Sequence, residues 1–557
     1  MQENVVKGFL DVDGTRIINE EGKTVLLKGW GLGNWLLCEG YMWKSMGGER
    51  FDRPRRIEEV IEELTGAEYS KEFWMRFREN YINEADIRRM KELGYNSVRI
   101  PINSRLFLKE APGLNWVEEG FLLLDRVIDW CEKYGLYAFI DLHGAPGGQT
   151  GANIDDCIDD MPRLFIDEDC FQKGIQLWKR LAERYSDRYI VGGYDLLNEP
   201  LRPKRHAKDK EVEYLVPRLC EFYEKATAEI RKVDKKHLLS IEGHHWATAN
   251  DVFYKKYDDK MVIHFHRYAC IPDKSCYRDY LELREKWNVP LWLGETGENT
   301  IEWFTAMYPL AESLGIGYNI WPWKKMDCTN SPCSVPMPKD WNLIIDYTNG
   351  GMHPGYDKAK EILEEYLHNM LLDNCDFKEE VSAAVLREPG SVIRGTDFDE
   401  FAVKGNSLFP EENLISGKGI TYSGLHMEDN IYRYRLGTGM TIKEKHKDYQ
   451  KKFGFDCGFL KYVVELAQEE YAGYSLNNIG EKSEISVSYY CKEAAVFEIL
   501  QDERVLSVIE CKPGEEQKST GRLGLSQSRH SILTVKVIRG SIELEAIHTY
   551  RGEEIKE

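Results

Sequence analysis

Two carboxylates stand out by type and position. Glu199 closes the stretch Tyr194-Asp-Leu-Leu-Asn-Glu-Pro200, and Glu295 lies within Leu291-Trp-Leu-Gly-Glu-Thr-Gly297. Each follows a short apolar run that reads as a buried strand, and Pro200 stops the first from pairing further. Asn198 puts a carboxamide beside a carboxylate at a strand's C-terminal lip, which suits acid–base work. Breaking a glycosidic bond takes a proton on the leaving oxygen and negative charge beneath a carbon that becomes cationic. Two carboxyl groups provide both, and their separation decides the stereochemistry, roughly 5–5.5 Å for retention and about 6.5–9.5 Å for inversion. A guanidinium such as Arg99 would keep Glu295 ionised through charge-assisted hydrogen bonds. Asn198 suits a sugar 2-hydroxyl, a contact that tightens in the transition state.

Carboxylates so far apart in sequence need a scaffold that returns strand ends to one place. Apolar runs at 25–30, 97–102, 137–142, 191–197, 238–242, 261–266, 291–294 and 317–321 read as strands. Helical patterns at 83–93, 120–134, 171–185, 211–233 and 301–314 lie between them, several ending in Lys or Arg and then Gly or Asp. The alternation predicts an α/β fold, a (β/α)8 TIM barrel, whose chemistry sits at the C-terminal strand ends. Reading those ends in order gives Trp35 and Glu39, Arg99, His143, Asn198 with Glu199, Glu242 with His244, His266 with Tyr268, Glu295, and Trp321 with Trp323. Trp323 reads equally well as packing.

After 356–371 the periodicity changes to two, with strands expected at 484–490, 495–500, 505–510, 531–537 and 541–548. The expected domains are a barrel over 1–374 and an all-β, jelly-roll-like sandwich over 375–557. The segment 426–452 is charged and less regular.

The chain has 557 residues and a formal net charge of −20, which disfavours nucleic acid and anionic membrane as partners. No run of eighteen apolar residues occurs, so no membrane span is expected. The first residues lack the basic start and apolar core of a signal peptide, and a cytoplasmic location is expected. Thirteen scattered cysteines without a Cys-x-x-Cys pair point to free thiols. His264 and His266 alternate on one strand, but no third ligand at metal spacing accompanies them. Neither a metal nor a cofactor is expected.

Asn198-Glu199-Pro200, Gly294-Glu295, Val98-Arg99-Ile100-Pro101, Asp141-Leu142-His143-Gly144, His266-Arg267-Tyr268 and Trp321-Pro322-Trp323-Lys324 together resemble glycoside hydrolase family 5. The likeness covers residues 5–370. It implies a retaining β-glycosidase with Glu199 as acid/base and Glu295 as nucleophile. Arg99, His143, Asn198, His266, Tyr268 and Trp321 would then line the sugar site, with Trp35 and Trp323 as further aromatic candidates. The stretches at 29–39 and 141–149 resemble the exo-β-1,3-glucanase branch, in which Glu39 would reach the non-reducing sugar. Gly31 and Asn34 depart from that branch's motif, which has Asn and Gly there. The C-terminal part resembles carbohydrate-binding modules of families 6 and 35 at the level of fold, and sugar binding or cover for the pocket fit that likeness equally.

The expected function is exo-acting hydrolysis of β-linked glucosides or short β-glucan oligosaccharides. A β-mannosidase, a β-galactoside- or arabinoside-cleaving enzyme, and a non-catalytic carbohydrate-binding protein are the alternatives.

Overall fold

A computed structural model describes residues 5–45, 49–207, 209–403, 415–418, 441–445 and 459–552. Most of the charged segment 426–452 lies outside the described residues. The chain divides into two compact units. One comprises Met1–Arg267, Asp279–Gly297 and Gly315–Phe377; the other comprises Tyr268–Arg278, Glu298–Leu314 and Lys378–Glu557.

The first unit is built on eight parallel strands that close into a barrel, as the alternation predicts. They are Lys28–Gly31, Ser97–Asn103, Tyr137–Gly144, Val191–Asp195, Leu238–Glu242, Met261–Arg267, Leu291–Gly297 and Gly317–Trp321, with the eighth paired to the first. Register brings the chemistry into rows. Asp141 pairs with Asp195 and Asp195 with Ser240, while Glu242 pairs with His264 and His266 with Glu295. Beneath these rows Leu27, Phe139, Leu238, Val262 and Trp292 form an apolar floor, joined by Leu10 and Ile17. Layers of side chains thus fill the barrel below the site.

The fourth strand stops at Asp195 rather than at the expected 197; the Leu196 N–H still donates to the Ser240 carbonyl and the Asn198 N–H to the Leu142 carbonyl, each at 3.2 Å, and φ turns left-handed at Glu199 and Leu201, to 43° and 51°. Left-handed backbone cannot continue a ladder. The 40–73 region carries most of a helix, Pro54–Asn80. Its low amphipathic signal has a structural cause, a break at Gly66, where φ is 75°. The helix Glu84–Glu92 starts in a reciprocal capping box between Asn83 and Asp86.

The second unit holds two antiparallel sheets that share one core. Glu484–Cys491 and Ser541–Tyr550 belong to one sheet; Ala495–Gln501, Arg504–Cys511 and Ser528–Arg539 belong to the other. Val487, Leu544 and Ile547 from the first meet Phe497, Leu533 and Val535 from the second. The strands Tyr462–Ala467 and Tyr471–Ile479 complete the sheets and have weaker alternation. This unit also contains the helix Ile301–Ser313. There the Thr305 hydroxyl donates to the Val392 carbonyl at 2.9 Å, and Arg387 Nε donates to the Thr305 carbonyl at 2.8 Å.

Candidate active site

Arg99 is the hub. It lies on the second strand with no exposed surface and donates to carboxylates from four other strands or their ends. Nε reaches Asp195 at 2.8 Å and Nη1 reaches Glu295 at 2.6 Å. Nη2 reaches the Asn198 side-chain oxygen at 2.8 Å, Glu242 at 3.2 Å and Asp141 at 3.2 Å. Burying one guanidinium among several carboxylates is tolerable only when every charge is paired. Burial alone would lower the Arg99 pKa, but the surrounding carboxylates hold it well above its ordinary value.

A chain of hydrogen bonds fixes the histidines. His143 Nδ1 lies 2.7 Å from Asp141, and Asn198 Nδ2 lies 3.1 Å from His143 Nε2. With Asn198 oxygen turned to Arg99, its nitrogen must donate, so His143 donates from Nδ1 and accepts at Nε2. Burial, with Arg99 adding to it, pushes the His143 pKa down to about 4, which keeps that tautomer neutral. The His143 ring stacks on Trp321 with centroids 5.3 Å apart. Trp321 in turn donates to the Tyr41 hydroxyl at 2.8 Å. A Cβ at Gly31 or Gly33 would come within 2.7 Å of the Trp321 ring, so the glycines make room for it.

His266 Nδ1 lies 2.7 Å from Glu199 Oε1 and 3.8 Å from Glu295 Oε1. Its Nε2 lies 3.1 Å from His264 Nε2, and His264 Nδ1 lies 3.1 Å from Asp195. Burial pushes His264 down to about 3, against the pull of Asp195, so it is neutral with its proton facing Asp195. His264 Nε2 then accepts from His266 Nε2, which leaves His266 protonated on both nitrogens. Burial would disfavour that cation, but Glu242, Glu295 and Glu199 raise its pKa well above the ordinary histidine value. His264 fits because Gly294 has no side chain; a Cβ there would lie 1.9 Å from His264 Nε2.

The two carboxylates singled out from the sequence meet in this cluster. One ligand atom each from Glu199, His266 and Glu295 lie within 4.8 Å of one another, and Glu242, His264 and His266 form a second such group. A cation could reach either set by distance alone. His266 already bridges Glu199 and His264, and Arg99 supplies positive charge beside Glu242 and Glu295.

Among the other expected residues, Glu39 is buried, and its amide donates to Asn34 Oδ1 at 3.4 Å. Asn34, which replaces a motif glycine, adopts a glycine-like φ of 62° and accepts from Trp43 Nε1. Tyr268 groups with the second unit. Trp35 and Trp323 do not join the cluster. Trp35 donates to the Arg78 carbonyl at 2.8 Å and borders a separate cavity of about 300 Å³ with Trp74, Glu58 and Arg105. Trp323 is fully buried, donates to Asp86 at 2.9 Å, and packs edge-on against Trp30 and Phe377. His244 is tied to Asp251. The sequence gives Asp195 and His264 no sugar-site role, and it places Glu242 only at a strand end. Their signal was a charged or titratable residue inside an otherwise apolar strand.

Residues 57–327 match the family profile of Cellulase (glycosyl hydrolase family 5). A β-xylosidase of Phanerodontia chrysosporium is 35% identical over 240 residues, 43% of this chain and 47% of that protein. A glucan 1,3-beta-glucosidase of Candida oleophila is 31% identical over 238 residues, 41% of this chain and 51% of that protein. The crystal structure of an endogalactoceramidase aligns with 97% of this chain and 99% of its own at 13% identity, with a TM-score of 0.44. The chain spans about half the length of the first two relatives. Over residues 57–327, just under half of the chain, the barrel is similar to glycosyl hydrolase family 5.

Proposed function

We propose that this chain is a retaining β-glycosidase, acting from the non-reducing end on β-linked glucosides or short β-glucan oligosaccharides. The observation that carries the reading is the approach of Glu199 and Glu295 oxygens to within 4.8 Å, near the roughly 5–5.5 Å carboxyl separation of retaining enzymes. Glu295, paired with Arg99, attacks the anomeric carbon while Glu199 delivers a proton to the departing oxygen. Glu199 then takes a proton from water as that water displaces Glu295, and the product keeps the β configuration. Asn198 Nδ2 carries two N–H groups and spends one on His143; the other suits the sugar 2-hydroxyl. Relatives named β-xylosidase and glucan 1,3-beta-glucosidase support a β-linked substrate. Mannosides, galactosides and arabinosides stay as rival substrates.

A panel of aryl β-glycosides, with the anomer of the first product read by proton NMR, tests the reading. Glucoside cleavage with a β product is expected. Azide is expected to restore part of the activity of Glu199→Ala on an activated leaving group and to give a β-glycosyl azide. Glu295→Ala is expected to yield no retained product. An α product first, or sugar binding without hydrolysis of any glycoside, would refute the proposal.

A further inference from the structure

Glu242 is a buried carboxylate that the two-carboxylate mechanism does not use. It ends the fifth strand with no exposed surface. Its Oε2 accepts the backbone N–H of Glu199 at 2.7 Å, and its Oε1 lies 3.2 Å from Arg99 Nη2. The same Oε1 lies 3.4 Å from His266 Nε2 and 3.3 Å from His264 Nδ1. One side chain therefore touches the backbone of Glu199, the histidine that contacts the Glu199 carboxylate, and the arginine that holds Glu295.

The Glu199 backbone gives this contact its weight. A φ of 43° is a left-handed conformation, which is strained for a residue other than glycine. Such a conformation persists where its surroundings over-determine it. Around Glu199, Gln149 donates to the Asn198 carbonyl at 2.9 Å and Thr150 to the Glu199 carbonyl at 3.1 Å. Glu242 supplies the acceptor for the Glu199 N–H. It is the titratable member of that set.

We propose that Glu242 is a positioning residue for the catalytic pair, holding Glu199 by its backbone N–H and bearing on the His266 imidazole that contacts the Glu199 carboxyl. The proposal rests on the reading of Glu199 and Glu295 as the reacting pair. Other groups bear on Glu242 as well. Asp195 faces it from the fourth strand, and burial pushes the Glu242 pKa up to about 8, against the pull of His266 and with Asp195 adding to the rise. From the helix side, Tyr223 donates to the Glu242 carbonyl at 2.9 Å, and the Tyr280 hydroxyl donates to Ala247 at 3.1 Å. Both phenols are buried and pushed further above their ordinary range, so they stay neutral while Glu242 and His266 titrate.

The test compares Glu242→Gln and Glu242→Asp with the wild type on an aryl β-glycoside across pH, alongside ¹⁵N-histidine NMR of His266. Glu242→Gln keeps the size and removes the charge. Its kcat is expected to fall about 10- to 100-fold with KM little changed. The His266 titration should move to lower pH, by on the order of one unit. Glu242→Asp keeps the charge but withdraws it from the Glu199 amide, so kcat is expected to fall while the His266 titration stays near the wild-type value. A residue of merely structural importance would lower thermal stability in both variants and leave the His266 titration unmoved. Wild-type kcat and an unmoved His266 titration in folded Glu242→Gln would overturn the proposal; if that variant does not fold, wild-type kcat in Glu242→Asp would do so. A wild type that cleaves no glycoside would refute the hydrolase reading, and the His266 titration would still decide the contact.

Discussion

At the scale of single residues, Arg99 carries more of the site than either acid. Its planar fork meets Asp195, Glu295, Asn198, Glu242 and Asp141 from one buried position. Lysine has the charge without the fork and cannot serve that many directions at once. Arg99→Lys is therefore expected to lower kcat/KM for an aryl β-glycoside by about 100-fold or more, since a misplacement near 1 Å is already worth about that factor. Steady-state kinetics beside a thermal melt checks this, and a folded variant with near-wild-type kcat/KM would contradict it. Arg99 could be read from sequence because a charge inside an apolar strand has few structural explanations. Trp35 and Trp323 could not be placed in the same way. Both sit at strand ends, but Arg78 and Asp86, which come from elements far away in sequence, claim their indole N–H groups.

At the scale of elements, strand seven works by what it lacks. Gly294 precedes Glu295 and leaves the volume that His264 occupies from strand six. Gly294→Ala would drive a methyl group into the imidazole, and overpacking of this kind costs about 1–3 kcal/mol. The expected result is a lowered melting temperature together with a loss of activity larger than the loss of folded protein, because His264 positions His266. Equal losses of activity and folded fraction would show that the imidazole pair has no separate role. Strand existence was legible from apolar runs, whereas strand ends were not. Strand four ends at Asp195, two residues before its apolar run does, and the left-handed turn at Glu199 and Leu201 beyond it is announced by no local pattern.

At the scale of the whole molecule, the buried charges predict a dome of stability against pH. Asp195 and Asp234 are held down to about 2; burial would raise both, but His264 and Arg99 outweigh it for Asp195, as His237 and Tyr194 do for Asp234. Unfolded carboxylates take up protons near pH 4. Stability supplied by these two groups is thus present above that pH and lost as pH falls towards 2. His266, raised above its ordinary value, and Glu242, raised to about 8, act in the opposite sense. The Glu242 contribution is complete below its unfolded value of about pH 4 and is lost by about pH 8; that of His266 is complete below about pH 6.5 and is lost at higher pH. Melting temperatures measured from pH 3 to 9 should peak between these limbs; a monotonic rise to pH 9 would show that the Glu242–His266 contact does not form.

The amino-acid sequence by itself determined the barrel and the strand order, located the rim where titratable residues gather, and singled out Glu199 and Glu295. These follow from local periodicity and from residue types that are costly to bury, both of which are written along the chain. Only the tertiary structure decided which rim residues face one another. It brought Glu199 and Glu295 within 4.8 Å, joined them through Arg99 and His266, added Glu242 beneath Glu199, and turned Trp35 and Trp323 away. The reason is that a side chain beyond a strand's end takes its direction from hydrogen-bond partners and space offered by distant segments, and those exist only once the barrel has closed.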